Sequence, residues 1–273
     1  MSLIASTAKI YPNVRLGTGV TVGEWVVVGL PIPGMSPWDV ETTIGDNAVI
    51  RSHSVIYAGS RIGAGFQTGH RAVLGPGMEI GSGCSIGTNT VAAGFAKLRD
   101  GARVHSLCYV GEFASIHEMA WVGPDAVIES RFDKVTVVAA GAILALRVHL
   151  LPGVRVGERA LVGTRCKLRQ DVPPYRLVIG DPPRAVRSID QIVSPIAEIG
   201  HPYQPDSPDV REANLGRHAA REGCSLCADD WRVNLWVRLQ SARAPREEIR
   251  HSVAPLKQDN ELRMADSIAS CNQ

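Results

Sequence analysis

The strongest feature of the sequence is a period of six residues. From Ile44 to Ile128, every sixth residue is isoleucine, leucine or valine, with two exceptions. The fifteen positions are Ile44, Ile50, Ile56, Ile62, Thr68, Leu74, Ile80, Ile86, Ala92, Leu98, Val104, Val110, Ile116, Val122 and Ile128. This period matches neither a helix, at about 3.6 residues per turn, nor a long strand, at about two. It is typical of short strands joined by regular bends, and three such strands close a triangular coil of about 18 residues.

Small residues stand two positions before most of these aliphatic residues. They include Ala48, Ser54, Ser60, Ala72, Cys84, Thr90, Ala96, Ala102, Cys108, Ala114, Ala120 and Ala126. Glycine often follows the aliphatic residue, where a turn needs a permissive backbone. The chain has 45% hydrophobic but only 5% aromatic residues, so its core must consist of small and branched side chains. These features predict an all-β solenoid with an aliphatic ladder inside.

The period changes phase twice along the chain. It holds earlier, from Ile4 to Val28, and the proline-rich residues 29–43 form an excursion from it. A later phase runs from Phe132 to Leu168, after a slip at residues 129–131. Together the three phases predict about nine coils, and paired prolines within residues 171–175 stop the ladder.

The chain divides into a repetitive body and a tail. We expect residues 1–188 to form the β-helix domain. Residues 189–273 contain no hexads and are expected to form a C-terminal non-repeat tail, partly ordered or helical. Apolar residues at 231–239 fit a helix face and a strand face equally well. Cys224 and Cys227 have the spacing of half a zinc module but no second pair follows, so two unliganded thiols are expected.

Charge and hydrophobicity argue against several classes of protein. The formal net charge of +2 gives little attraction to nucleic acid or anionic lipid. The longest uncharged apolar stretch, residues 135–146, is well short of the roughly 20 residues that span a bilayer. The first residues lack the basic and apolar regions of a secretion signal. We therefore expect a cytoplasmic protein with reduced cysteines, no nucleic-acid partner and no membrane span.

The hexads and the end of the repeat together resemble one enzyme superfamily. Residues 171–184 read DVPPYRLVIGDPPR, and stacked hexads with such an ending resemble the hexapeptide-repeat acyltransferases. The resemblance covers residue 1 to about residue 190. It implies a left-handed parallel β-helix, a homotrimer, and acyl-CoA bound in grooves between neighbouring solenoids.

Three segments narrow the resemblance. Residues 66–70 (FQTGH), 86–89 (IGTN) and 104–113 (VHSLCYVGEF) are similar to acetyltransferases that act on nucleotide-linked amino sugars or surface polysaccharides. The resemblance thus implies an acetyl-CoA-dependent N- or O-acetyltransferase, whose acceptor is an activated sugar or a small natural-product intermediate. Two departures from the usual pattern are a shortened loop after Ile128 and an aspartate, Asp181, in the terminal motif.

Histidines are the candidate catalytic groups. Acetyl transfer needs a base for the nucleophile's proton and a donor for the developing oxyanion, and histidine is the natural base near neutral pH. Counted in 18-residue coils, His53, His70, Asn89 and His105 fall on one edge that spans about 14 Å. We assign proton abstraction to His70 or His105 and oxyanion stabilisation or acceptor orientation to the other, with Asn89 as a polar contact. Glu112 either orients a histidine or binds substrate, or is a solvated turn carboxylate.

Candidate contacts for the acyl-CoA lie nearer the end of the repeat. Arg165, Lys167 and Arg184 provide cations for its phosphates. Gly141 and Gly163 allow a pantetheine arm to approach the backbone. No metal ligands are expected at this site.

Two other functions stay open. The γ-type carbonic anhydrases use this fold with a set of zinc-binding histidines, but the sequence contains no His-x4-His pair, so this is a distant alternative. The second alternative is a non-catalytic trimeric β-helix that uses its tail for assembly.

Overall fold

The computed structural model describes residues 2–188, which form a parallel β-helix. Within these residues the chain contains 28 short strands and no helix. Every pairing is parallel except that of the last two strands and one bridge within a turn. The predicted all-β solenoid is therefore confirmed, and it is consistent with the left-handed β-helix that the resemblance implies. The predicted tail, residues 189–273, lies outside the described residues.

The strands of the described chain fall into three sheets, which are the three faces of the triangular coil. The first sheet contains β1 (Leu3–Ile4), β4 (Thr21–Val22), β7 (Val49–Ile50), β10 (Gln67–Thr68), β13 (Ser85–Ile86), β16 (Arg103–Val104), β19 (Trp121–Val122), β22 (Ile143–Leu144), β25 (Leu161–Val162), β27 (Arg176–Ile179) and β28 (Arg184–Ser188). The second contains β2 (Lys9–Ile10), β5 (Val27–Leu30), β8 (Val55–Tyr57), β11 (Val73–Leu74), β14 (Val91–Ala92), β17 (Tyr109–Val110), β20 (Val127–Ile128), β23 (His149–Leu150) and β26 (Lys167–Leu168). The third contains β3 (Val14–Leu16), β6 (Thr42–Ile44), β9 (Arg61–Ile62), β12 (Glu79–Ile80), β15 (Lys97–Leu98), β18 (Ser115–Ile116), β21 (Val137–Val138) and β24 (Arg155–Val156).

Each coil begins with a strand of the first sheet, so that β7 opens coil 3 and β16 opens coil 6. Within residues 2–188 nine coils are complete, and β27 begins a tenth. In the ninth coil, a bridge from Val156 to Val172 takes the place of a strand of the third sheet. β28 then folds back antiparallel onto β27 and ends the stack. The prediction of about nine coils is confirmed.

The core is the aliphatic ladder that the period predicts. Ile80 pairs with Ile62 below it and Leu98 above it, and all three side chains are at most 4% exposed. The small residues that precede the ladder are buried with it; Ala102 and Ala120, for example, are fully buried. A coil this narrow closes only because the inward side chains alternate between large and small.

One of the two exceptions in the ladder coincides with a buried phenylalanine. Thr68 is a ladder residue in coil 4, and the fully buried Phe66 stands two positions before it, where the neighbouring coils have Ala48 and Cys84. The smaller threonine compensates for the larger phenylalanine. Volume is therefore conserved over the coil rather than at each position.

Two insertions account for the changes of phase. Val22 pairs with Ile50, where an unbroken 18-residue coil would give Val40, so ten extra residues lie between β5 and β6. Ile116 pairs with Val138 where the period would give Lys134, so four residues are inserted after β20.

The prediction that Phe132 begins the third phase is wrong. Phe132 lies in a turn whose ends, Arg131 and Lys134, bridge each other, and the ladder resumes at the fully buried Val138. The ring of Phe132 packs on the edge of Phe113 with 5.5 Å between centroids. The turn therefore covers an aromatic side chain of the coil below instead of contributing to the interior.

Candidate functional site

A groove of about 310 Å³ runs along the first sheet over coils 3 to 6. It is lined by Arg51, Gln67, Thr68, Gly69, His70, Ser85, Ile86, Gly87, Thr88, Val104, His105 and Ser106. It borders the corner between the first and second sheets, which we call the histidine corner and which comprises residues 52–53, 70–71, 88–89 and 106–107. The lining is mostly polar and contains no carboxylate. Its volume falls within the range of small-molecule sites, about 300–1,000 Å³.

Two glycines form the floor of the groove. In each coil one residue follows the first-sheet strand, and in coils 4, 5 and 6 these residues are Gly69, Gly87 and His105. A Cβ on Gly69 would lie 2.2 Å from the backbone nitrogen of Thr88, and a Cβ on Gly87 would lie 2.3 Å from that of Ser106. Glycine thus lets these coils close tightly and leaves the surface below His105 free of side chains.

His70 is exposed and is held from both neighbouring coils. Its Nδ1 lies 2.8 Å from the hydroxyl of Ser52 in coil 3, and its backbone N–H donates to Thr88 Oγ1 in coil 5 at 3.2 Å. The contact at Nδ1 leaves Nε2 as the ring nitrogen that is available to a substrate. His70 can therefore act as a positioned general base.

His105 lies at the upper end of the groove and is half-buried. Its ring packs on Trp121 of the next coil, with 4.6 Å between centroids and 59° between planes. Its carbonyl accepts a 2.7 Å hydrogen bond from the hydroxyl of Thr90. Its position is therefore fixed by packing above and by a backbone contact below.

Arg51 lies at the lower end of the groove. Its Nη1 donates to the carbonyl of Thr68 at 2.5 Å, and its Nη2 donates to Gln67 Oε1 at 3.3 Å. The backbone N–H of Arg51 donates to the Thr68 hydroxyl at 2.8 Å. Thr68, one of the two residues that interrupt the aliphatic ladder, thus accepts hydrogen bonds from both the backbone and the guanidinium of Arg51.

The other predicted catalytic residues lie around the groove or away from it. Asn89 is exposed at the histidine corner with a φ of 56°, and its backbone N–H donates to the carbonyl of His70 at 2.9 Å. His53 occupies the same corner position two coils below, with a φ of 62°. Glu112 is half-buried at the corner between the second and third sheets. The structure therefore places His70 and His105 in one groove, with Asn89 beside it, but places Glu112 elsewhere on the same chain.

The predicted acyl-CoA residues are dispersed over the last coils. Arg165 is exposed at the corner between the first and second sheets, three coils or about 14 Å above His105. Lys167 lies beside it on β26, and Arg184 is exposed on β28. These cations share the upper end of the solenoid.

The two predicted glycines have different surroundings. A Cβ on Gly163 would lie 2.8 Å from Ile179 Cγ2, so this glycine is needed for packing against the next coil. Gly141, with a φ of 63°, lies at the corner between the third and first sheets, where its missing Cβ would face Arg159. Gly141 is therefore not on the corner that carries Arg165.

Sequence reasoning missed Arg51 and Ser52 as site residues. Ser52 precedes His70 by one coil of 18 residues, so the repeat itself could have revealed their contact. The signal for Arg51 was the threonine at ladder position 68, where a polar side chain replaces an aliphatic one.

The described residues give no indication of a metal or membrane site. Within residues 2–188 no three His, Cys, Asp or Glu side chains form a group that could hold a metal ion. The same part of the chain has no helix that could span a bilayer. Cys224, Cys227 and the segment 231–239 lie outside the described residues.

The chain is similar in sequence to known proteins over its repetitive part. No protein-family model matches the chain. The chain is 31% identical over 188 residues to the bifunctional protein GlmU of Exiguobacterium sp. and 31% identical over 171 residues to that of Marinobacter nauticus. These alignments cover 65% and 61% of the chain but only 38% and 34% of the relatives, so the chain spans little more than a third of their length.

The β-helix is also similar to solved structures. LpxA of Bacteroides fragilis, a UDP-N-acetylglucosamine acyltransferase, aligns with a TM-score of 0.61 at 19% identity. The alignment covers 90% of this chain and 93% of that one. The parallel β-helix fold that the hexads predict is thereby confirmed.

Proposed function

We propose that this chain, which has the fold and the repeat of the hexapeptide-repeat acyltransferases, transfers an acetyl group from acetyl-CoA to an activated sugar. The acceptor group is an amine or a hydroxyl. The observation that carries the proposal is the polar groove in which Ser52 holds His70 below His105. Its lining suits a hydroxylated ligand, because hydroxyl, imidazole and amide groups converge there while the aliphatic residues point into the core.

The chemistry needs one proton acceptor and one hydrogen-bond donor. The acceptor's nitrogen or oxygen attacks the thioester carbon, and His70 Nε2 takes its proton. The tetrahedral intermediate carries an oxyanion, which the His105 ring stabilises by donating a hydrogen bond. The carbon–sulfur bond then breaks, His70 returns the proton to sulfur, and CoA leaves as the free thiol.

Charge distribution supports a donor site in the upper coils. Residues 147–188 contain nine Arg and Lys against three Asp and Glu, whereas residues 1–146 contain ten against eleven. Arg165 and Lys167 form no ion pair with any described carboxylate. Phosphates of acyl-CoA bound near them would direct its thioester down the corner towards His105.

The relatives support the same reaction class. LpxA of Bacteroides fragilis is by name an acyltransferase for UDP-N-acetylglucosamine, which is a nucleotide-linked sugar. We extend this acceptor class to the present chain as part of the proposal. We also place the reaction in the cytoplasm, where the three described cysteines would remain the free thiols that they are here.

The proposal includes a homotrimer whose neighbouring subunit closes the groove. Exposed apolar side chains lie on the second sheet and at the histidine corner beside it: Val91 and Tyr109 on the sheet are 41% and 43% exposed, and Leu107 at the corner is 58% exposed. A second copy that covers them would also shield the groove from water. Sedimentation should therefore give a trimer at micromolar concentration, and a stable monomer would contradict this part of the proposal.

A matched pair of variants tests the trimer contact. Tyr109→Glu should produce monomers and lose turnover, because it places a charge in the proposed interface. Ser115→Glu adds the same charge to the third sheet of the same coil. It should leave the oligomeric state and the turnover unchanged.

Release of free thiol from acetyl-CoA tests the function itself. Purified protein is incubated with acetyl-CoA and a panel of amino sugars, sugar phosphates, nucleotide-linked sugars and simple alcohols, and products are identified by mass spectrometry. We expect acceptor-dependent thiol release and a product heavier by one acetyl group. Binding of CoA without turnover on any acceptor would instead support the non-catalytic β-helix.

A further inference from the structure

We propose that Arg51 binds a phosphate group of the acceptor, so that the acceptor is a sugar phosphate or a nucleotide-linked sugar. This inference rests on the proposed function, because it assigns one end of the same groove. It also determines which of the two histidines is the base.

The guanidinium of Arg51 is held in place before any ligand binds. Its two hydrogen bonds to Thr68 and Gln67 fix the plane of the group beside coil 4. A guanidinium has five N–H donors, so others remain for a ligand. An arginine that is already ordered loses little side-chain entropy on binding and can present two parallel donors to phosphate oxygens.

The hydrogen-bond pattern of the first sheet differs at Arg51 from that in the other coils. In the other coils the residue after the first-sheet strand donates its N–H to a backbone carbonyl one coil above, as Gly69 does to Ile86. Arg51 donates instead to the hydroxyl of Thr68, and the Thr68 carbonyl accepts from the guanidinium. The hydroxyl of Ser54, which lies 3.4 Å from that of Thr68, completes a buried polar cluster. This cluster fixes the backbone at Arg51, because its hydroxyl groups are held by hydrogen bonds within the coil.

The charge of Arg51 is not neutralised by the described protein. No carboxylate of residues 2–188 lies within salt-bridge distance of it, and both of its side-chain partners are neutral oxygens. The groove lining adds two histidines and no acidic group. A half-buried cation in such surroundings favours an anionic ligand, since partial burial strengthens the attraction.

The separation along the groove identifies the base. The guanidinium lies at Thr68, and His70 follows two residues later in the same coil, about 7 Å along the backbone. His105 is two coils higher, or about 10 Å away in height alone. One sugar ring with a phosphate on its anomeric oxygen bridges the shorter separation. Arg51 and His70 therefore hold the acceptor, and His105 faces the thioester.

Steady-state kinetics with paired acceptors test this inference. The acceptor identified in the panel is compared as free sugar, sugar 1-phosphate and nucleotide-linked sugar, using wild type, Arg51→Gln and Arg51→Lys. Loss of the charge-assisted hydrogen bonds in Arg51→Gln should raise the KM for phosphorylated acceptors about 10- to 100-fold. The KM for acetyl-CoA should not change, and the KM for free sugar should rise less than that for the phosphorylated acceptors. The KM of Arg51→Lys for phosphorylated acceptors should lie between those of the wild type and Arg51→Gln.

Calorimetry tests the anion site without catalysis. Pyrophosphate and UDP should bind the wild type, and Arg51→Gln should weaken the binding at least tenfold while the melting temperature stays near that of the wild type. Arg155→Gln, which removes an exposed arginine from the third sheet, is the control and should bind as the wild type does.

Each outcome separates this inference from the function on which it rests. Absence of pyrophosphate and UDP binding, or binding that survives in Arg51→Gln, would overturn the anion site. A raised KM for acetyl-CoA instead of the acceptor would also overturn it, because Arg51 would then serve the donor. Anion binding that depends on Arg51, without acyl transfer to any acceptor, would retain the site and reject the proposed function.

Discussion

Substituting Ala102 by leucine should strongly destabilise the coil, because its side chain points into a filled interior. Ala102 is fully buried, as are Cys84 below it and Ala120 above it in the same column. Leucine adds an isopropyl group at a place where the packing leaves no space. Overpacking of this kind costs about 1 to 3 kcal/mol, sometimes more.

The expected change in melting temperature follows from the size of the body. A domain of about 190 residues loses about 2 to 4 °C for each kcal/mol, so Ala102→Leu should melt about 2 to 12 °C below the wild type. Ala64→Leu is the control, because Ala64 is exposed in a turn. Its effect should stay within about 0.5 kcal/mol. Differential scanning calorimetry of the 273-residue chain measures both.

A compensating substitution tests the physical reason. Coil 4 accommodates Phe66 because Thr68, two positions later, is small. Val104 stands in the same relation to Ala102, so Ala102→Leu combined with Val104→Ala should be less destabilised than the two single effects added together. A coupling of about 0.5 to 3 kcal/mol is expected for residues in contact. Additive effects, or an unchanged melting temperature in Ala102→Leu, would show that the assumed packing of the interior is wrong.

Substitution of Ser52 tests the site, and the reactivity and titration of the buried cysteines test the core. Ser52→Ala should lower kcat about tenfold through the loss of the hydrogen bond to His70, with the KM for acetyl-CoA unchanged, and Ser52→Thr should restore most of the activity. Burial raises the pKa of Cys84 to about 12 and that of Cys108 to about 11, so iodoacetamide should label neither in the native protein near pH 8 but both after denaturation, as peptide mapping would detect. The same shifts should lower the free energy of unfolding as the pH rises above 9.0, because the unfolded thiols then release protons that the folded ones keep.

The repeat made the fold predictable because each coil solves the same packing problem. Inward positions could be counted from the sequence, and Ile80 or Ala102 fell where the period placed them. Phe132 was misplaced because a four-residue insertion ends close to the next hexad position, and the sequence does not distinguish a short turn from a new phase. The strand pairings of the next coil, such as that of Ile116 with Val138, reveal the insertion.

The site was predictable where it depends on stacking and not where it depends on side-chain direction. Counting in coils brought His70 and His105 to one edge, and extended counting would have matched Ser52 with His70. The same counting would have assigned Glu112 to a different corner. The path of the Arg51 side chain towards Thr68 could not be read from spacing, since a long side chain can lie along either neighbouring coil.

The turnover of the His70→Ala variant tests the central claim most directly. Single-turnover transfer from acetyl-CoA to the phosphorylated acceptor is compared in wild type, His70→Ala and His53→Ala, which removes an exposed histidine from the same corner outside the groove lining. Loss of the general base should slow transfer about 100- to 10,000-fold in His70→Ala, with CoA affinity unchanged and His53→Ala close to wild type. Wild-type rates in His70→Ala would contradict the account and place the proton acceptor elsewhere.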